Sequence, residues 1–193
     1  MNYWFFFSLL AASAIMIVVE SRGARVVLQL SFKGDIKRES LWLQQWGQLV
    51  ATFFVMLLIY SFETNAEGIK KSWSLAAAVL TASVVCFAIK RTVGRVRPNR
   101  ESAGRFLGPS LRHANWRESF PSSHSACAMA LSVGLTEMYP QATLVLWFLG
   151  LCCAMLRYLM DAHWPADVLA GVAIGYGCGH WVMNAFGYRA ASF

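Results

Sequence analysis

Charge is in short supply in this chain, and negative charge most of all. Only 14% of the 193 residues are charged, and ten residues are acidic. A soluble domain of this length is rarely so poor in charge, so lipid is the expected solvent for much of its surface. There are five cysteines (Cys86, Cys127, Cys152, Cys153 and Cys178) but no C-x-x-C spacing, so no metal or redox motif is indicated. All five lie inside apolar segments, where cysteine serves as a small core residue, and they say little about compartment. The net charge of +7 could suit nucleic acid. No recognition helix or aromatic-basic sheet pattern accompanies it, and nucleic acid is set aside as a partner.

What the chain has instead is apolar surface. Apolar residues make up 57% of it, with a mean hydropathy of +0.46. The length gives a single domain, 1–193, as the default. Six apolar runs occupy residues 3–19, 46–62, 73–89, 123–138, 142–157 and 166–186. As helices of about 16 to 21 residues they would extend roughly 24–31 Å, near the thickness of a bilayer's hydrocarbon core. The fourth and fifth are short and need polar ends or a thin local membrane. The first lacks a basic n-region and a small-residue cleavage site, so a retained anchor is expected. Residues 20–40 are mixed in charge, contain Gly23 and Gly34, and read as a surface loop with a short interfacial helix around 24–32. Gly171, Gly175 and Gly179 recur every four residues, as do Ala126, Ala130 and Gly134. Such spacing lines one helix face with small side chains and lets backbones approach, so both faces are expected inside the bundle, each a candidate partner for the other. The expected architecture is an all-α, six-span transmembrane bundle. Six spans put the termini on one side and the loops at 91–121 and 158–165 on the other.

Those two loops carry the chemistry. Lys90 and Arg97 are seven residues apart, about two helical turns, and Pro98 discourages the helix from continuing. Arg supplies a planar fork for phosphate oxygens and Lys a compact charge. Pro121-Ser122-Ser123-His124 precedes the fourth run, where Ser122 or Ser123 can cap the helix and first-turn N–H groups can hold an anion. His124 can donate a proton to a leaving oxygen. Arg157 ends the fifth run, and His163 and Asp167 straddle the start of the sixth. Their i, i+4 spacing lets Asp167 accept from one ring nitrogen of His163 and leave the other to attack. Taken singly, each stretch has a plainer reading: a snorkelling Lys/Arg pair, an ordinary Ser cap, an interfacial His beside a helix-start Asp. At most three acidic groups lie near these cations, which would repel a divalent metal, so no metal is expected. Asp161 reads as a turn residue, His113 as a loop residue and His180 as a bundle polar residue.

Lys90-x6-Arg97-Pro98, Pro121-Ser122-x-His124 and Arg157-x5-His163-x3-Asp167, in this order, resemble the type 2 phosphatidic acid phosphatase superfamily, which includes bacterial acid phosphatases and vanadium haloperoxidases. Ser123 stands where that pattern often has Gly, and Leu156 where it often has Ser. The resemblance implies a metal-independent lipid phosphate phosphatase without cofactor. His163 would be the nucleophile that forms a phosphohistidine, Asp167 its orienter and His124 the proton donor. Lys90, Arg97, Ser122, Ser123 and Arg157 would hold phosphate. It also implies a lipid phosphate substrate, of the phosphatidic acid, phosphatidylglycerol phosphate, polyprenyl diphosphate or lipid A class. The expected location is a bacterial cytoplasmic membrane, with the site facing the periplasm or exterior. The positive-inside rule points the other way, because residues 20–40 carry five basic side chains. Phosphotransfer between lipids and non-catalytic lipid-phosphate binding remain the alternatives.

Overall fold

The computed structural model describes residues 1–23, 30, 32–112, 114–160 and 163–188. Most of the expected interfacial helix at 24–32, and the residues His113 and Asp161, lie outside the described set. Among the described residues the chain is all-helical apart from one isolated bridge between Arg95 and Phe106. The helices are α1 (Tyr3–Ser21), α2 (Gly34–Gln44), α3 (Leu49–Phe62), α4 (Ala66–Val93), α5 (Ser123–Met138), α6 (Thr143–Leu159) and α7 (Pro165–Ala185). Each of the six apolar runs becomes a helix, the second entered through a 3-10 turn at Gln45–Gly47.

Among the described residues, three helices are long and apolar enough to cross a membrane: Tyr3–Ser21, Ala66–Val93 and Pro140–Leu159. Gly34–Gly47 with Leu49–Phe62, bent by 68°, makes a fourth if the pair is one span. Helix α5, at 16 residues, is shorter and sits at the centre, packed by α4, α6 and α7. Every residue from 125 to 135 is buried. The two small-residue faces do meet. A Cβ on Gly171 would lie 2.4 Å from the Ser122 carbonyl, one on Gly175 2.2 Å from that of Ala126, and one on Gly179 3.4 Å from the Ala130 Cα. A Cβ on Gly134 would meet side chains instead, Leu75 of α4 at 2.7 Å and Met183 of α7 at 3.7 Å. Glycine lets α7 lie directly on the α5 backbone, which brings the starts of both helices side by side.

Residues 20–40 are not one loop. Glu20 is buried in the last turn of α1, and residues from Gly34 onward are helical. Asp35 in the first turn of α2 and its 3.1 Å pair with Arg38 favour that helix, which lies against α6.

Local signals set the helix ends that matter. The Asn65 side chain caps α4 by accepting from Gly68 N–H at 2.9 Å, and Gly94, at φ +62°, ends it in the left-handed conformation. Lys90 therefore sits in the last turn of α4. The following loop folds back as a ladder. Val96 N–H donates to Arg105 O at 2.9 Å, Leu107 N–H to Gly94 O at 3.0 Å, Arg97 N–H to Trp116 O at 2.9 Å and Ser119 N–H to Arg95 O at 3.0 Å.

Candidate active site

Two short contacts tie the three stretches into one site. Ser122 N–H donates to the Asp167 carbonyl at 2.9 Å, joining the second stretch to the third. Arg97 Nη1 lies 3.5 Å from His163 Nε2, joining the first to the third.

His163 is 1% exposed. Its Nδ1 lies 2.8 Å from the Ser119 carbonyl, an oxygen that can only accept. The ring proton is thus assigned to Nδ1, and Nε2 keeps its lone pair toward Arg97. Burial pushes the pKa of His163 down to about 3, outweighing the nearby Asp167 carboxylate, so the ring is neutral at physiological pH.

The expected hydrogen bond from His163 to Asp167 is not the one that forms. The Asp167 Oδ2 atom is 3.6 Å from Nδ1, too far for a hydrogen bond. Its oxygens are engaged elsewhere. Arg95 Nη1 donates to Oδ1 at 2.7 Å, Trp164 N–H donates to Oδ2 at 3.0 Å, and the Ser119 hydroxyl donates to Oδ2 as well. Asp167 is the third residue of α7, where a carboxylate readily caps the free N–H groups of the first turn, and that duty competes with the imidazole.

Arg95, missed from the sequence, is the keystone of the floor. It is 1% exposed, with Nη2 2.6 Å from Glu20 Oε2 while Nη1 holds Asp167. Glu20 also accepts from Ala166 N–H at 3.1 Å, so a carboxylate from α1 reaches the start of α7. The Arg95 guanidinium lies between the rings of Phe106 and Trp164, at 5.1 and 5.2 Å. Arg95 was one arginine among seven between positions 91 and 117, with no spacing to single it out. Glu20 did carry a signal, since an acid at the end of an apolar helix needs a partner.

The cationic side chains stand around the imidazole. Lys90 is buried and donates to Glu118 O at 2.5 Å, and Arg97 Nε donates to Asn115 O at 2.8 Å. Arg157 Nη1 donates to Gln44 Oε1 at 2.5 Å, so α2 contributes a residue the sequence did not indicate. Ser122 is fully buried and caps α5, accepting from Ser125 N–H at 3.4 Å and Ser125 Oγ at 2.9 Å. Ser123 and His124 are half-buried in the first turn of α5, and the charges of Arg157, Arg97 and Lys90 all bear on His124. His180 is part of a different cluster, paired with Glu137 at 2.6 Å toward the other ends of α5 and α7. Among the described residues no three His, Cys, Asp or Glu side chains gather as a metal site would require.

Comparison with known proteins bears on the family and the fold. Residues 71–191 match the profile of the PAP2 superfamily. A lipid A 1-phosphatase of Rhizobium etli is 30% identical over 123 residues, 61% of this chain and 53% of that protein. A decaprenylphosphoryl-5-phosphoribose phosphatase of Mycobacterium tuberculosis is 32% identical over 124 residues, covering 62% and 64%. The chain thus spans about half the length of the first relative and under two thirds of the second. Among solved structures, LpxE of Aquifex aeolicus superposes with a TM-score of 0.64 at 19% identity, over 80% of this chain and 88% of that one. A transmembrane PAP2 type phosphatidylglycerolphosphate phosphatase of Bacillus subtilis gives 0.60 at 16% identity, over 98% and 96%. The apolar helices and this shared transmembrane fold make the protein an integral membrane protein. With more than half its length matched to one family profile, and with that family's motif positions gathered at one end of the bundle, the chain belongs to the PAP2 superfamily.

Proposed function

We propose that this chain is a metal-independent lipid phosphate phosphatase that works through a phosphohistidine on His163. The observation that carries the reading is the imidazole itself: buried, neutral, with its proton on the Ser119 side and its Nε2 lone pair facing Arg97. A fixed lone pair in a cationic cup is what attack on a phosphate monoester needs.

In the first step Nε2 forms a bond to phosphorus as the bond to the leaving oxygen breaks. His124 gives its proton to that oxygen. A phosphate bound among Lys90, Arg97 and Arg157 favours the protonated form of His124, since its charge offsets theirs. The imidazole gains positive charge as it attacks, and the Asp167 carboxylate, 3.6 Å from Nδ1, stabilises that charge without taking the proton. In the second step water attacks phosphorus, His124 takes its proton, and His163 leaves. Lys90, Arg97, Arg157 and the α5 N-terminus at Ser122 and Ser123 hold the equatorial oxygens, where transition-state charge spreads. Three cations do the electrostatic work that a metal does elsewhere, and they would repel one.

The named relatives act on lipid-borne phosphates, which supports a phosphate ester of a membrane lipid as substrate class. We take the site to face the exterior. A membrane-impermeant thiol reagent applied to intact cells carrying Lys33→Cys would label the protein in that orientation and leave it unlabelled in the other.

The test of the reaction is phosphate release from a panel of lipid phosphates by purified protein in chelator, followed by acid quench with labelled substrate. Release in chelator and label trapped on His163 are expected. Activity that appears only on adding a divalent cation would sink the mechanism.

A further inference from the structure

At the end of the bundle away from His163 lies a cavity of about 310 Å3 that none of the reaction steps uses. Its wall includes Tyr3 of α1, Glu137 of α5, His180, Trp181 and Asn184 of α7, and Tyr188 just beyond. From His124 to Glu137 the rise along α5 is about 20 Å, so this space is separate from the phosphate cup. The Glu137 and His180 side chains are only 4% and 15% exposed, and His180 Nδ1 lies 2.6 Å from Glu137 Oε1. An ionisable pair withdrawn among apolar helices is costly, and the phosphatase chemistry has no use for this one.

We propose that this cavity binds an organic ammonium group, carried by a lipid headgroup or by a free amine. Charge gives the sign of the ligand. Glu137 and Asn184 are the penultimate residues of α5 and α7, so two helices end here with the negative poles of their dipoles. The positive pole present, the start of α1, is capped by the Asn2 side chain, which accepts from Phe5 N–H at 3.2 Å. A neutral His180 holds Glu137 by donating from Nδ1, which leaves the pair a net negative charge. An anion is therefore disfavoured. The aromatic wall gives the kind of cation. Tyr3 and Trp181, 64% and 68% exposed, stand with Tyr188 around the space, and ring faces attract an ammonium through their quadrupoles. The Tyr188 ring already draws one such group, since Lys70 Nζ lies 4.8 Å from its centroid. Among the described residues no third His, Cys, Asp or Glu joins Glu137 and His180, a donor set that does not suit a metal ion. An acyl chain would have to cover Glu137, His180 and Asn184 with groups that cannot pair with them.

The wall is also built in advance. Asn2 N–H donates to Tyr176 Oη at 2.9 Å, tying the start of α1 to α7. The Tyr176 ring packs edge-on to His180 with centroids 4.5 Å apart, which fixes the imidazole from behind. Tyr188 Oη donates to Glu67 Oε1 at 2.7 Å, and Tyr188 N–H to Met183 O at 2.9 Å. Preformed walls lower the ordering cost of binding. The volume stands at the small end of the roughly 300–1,000 Å3 usual for small-molecule sites, which suits a headgroup or a small amine rather than a whole lipid.

Binding is measured with no phosphatase substrate present, so it stands or falls apart from the phosphatase reading. The purified full chain in nonionic detergent is titrated with choline chloride, ethanolamine hydrochloride, and short-chain phosphatidylcholine and phosphatidylethanolamine, and its melting temperature is followed. Sodium chloride and a phosphatidylglycerol of the same chain length are the controls. A saturable rise with the ammonium compounds and none with the controls is expected. A rise with the two free amines identifies a small amine as sufficient, and a rise with the two lipids alone identifies the headgroup. Glu137→Gln and Trp181→Leu should each weaken the binding by about tenfold or more, and Trp181→Phe should keep most of it. Should Glu137→Gln fail to fold, the two Trp181 variants carry the test. No saturable rise with any ammonium compound overturns the site, as does an equal rise with phosphatidylglycerol or an affinity unchanged in Trp181→Leu.

Discussion

The floor and the rim of the site are both built of charged side chains, but their charges are managed in opposite ways. On the floor, Arg95 is buried between two carboxylates, Glu20 and Asp167, at 2.6 and 2.7 Å. On the rim, hydrogen bonds from Lys90, Arg97 and Arg157 run to Glu118 O, Asn115 O and Gln44 Oε1. Those oxygens are neutral groups that fix where each cation points. Floor charges hold helix ends together, whereas rim charges are set around the place proposed for an anion. His163 sits between, with Nδ1 turned to the floor and Nε2 to the rim.

The contrast can be broken at several points. His163→Ala should have the largest effect, lowering kcat by a factor on the order of 10⁴ or more, since the covalent step disappears. Phosphate release by purified variant measures it, and wild-type rates would end the assignment. Next comes the floor. Arg95→Ala leaves two buried carboxylates unpaired and should destabilise the fold by about 3–5 kcal/mol. Thermal unfolding in detergent checks this, and adding Glu20→Gln should recover part of the loss. An Arg95→Ala protein as stable as wild type would show that the floor is not the structural element described here.

A rim change should read out differently. Arg157→Ala should cost roughly 10²–10³ in kcat/KM, as loss of a transition-state donor does, with little change in melting temperature. If its stability falls as far as that of Arg95→Ala, the division between floor and rim collapses.

Acid sharpens the comparison more gently. His163 is neutral when folded, with a pKa near 3, against 6.5 when free. Between those values the unfolded chain binds the extra proton, so stability falls as pH drops below 6.5, by up to about 1.4 kcal/mol per pH unit. Melting temperatures from pH 7 to 4 in wild type and His163→Asn should diverge, with the wild type the more acid-sensitive. The smallest effect belongs to Gln44→Ala, which frees Arg157 from its anchor. A loss of about tenfold in kcat/KM is expected, about 1.4 kcal/mol, near the low end for one hydrogen bond to a charged group. A variant indistinguishable from wild type in the same assay would show that Gln44 does not position Arg157.

Much of this was legible in the sequence because the signals are local. A helix shows itself by an apolar run and a cap by a Ser at its start, but the stop expected at Pro98 comes earlier, at Gly94, so Lys90 is helical and Arg97 lies in the loop beyond it. The α5–α7 contact was legible for a related reason, since a four-residue recurrence of small side chains is a property of one helix face. What could not be read locally was pairing at a distance. Glu20 and Arg95 are 75 positions apart, and Gln44 and Arg157 113 apart. Arg95 and Gln44 are unremarked until the fold supplies their partners, and Glu20 and Arg157, which do stand out, do not disclose theirs. The Asp167 error has the same origin, because the i, i+4 spacing permitted a bond to His163 without disclosing that Arg95, Ser119 and the Trp164 N–H would compete for the carboxylate.

By itself, the order of residues determined that this chain is a bundle of apolar helices, and which cations and imidazoles lie at the helix ends. Backbone periodicity and capping depend only on near neighbours. The tertiary structure alone decided which oxygen receives the His163 proton, which acid neutralises which arginine, and which helix holds Arg157. Those outcomes are competitions among groups far apart in the chain, and in a buried, low-dielectric site they are won by whichever partner packing brings to hydrogen-bonding distance.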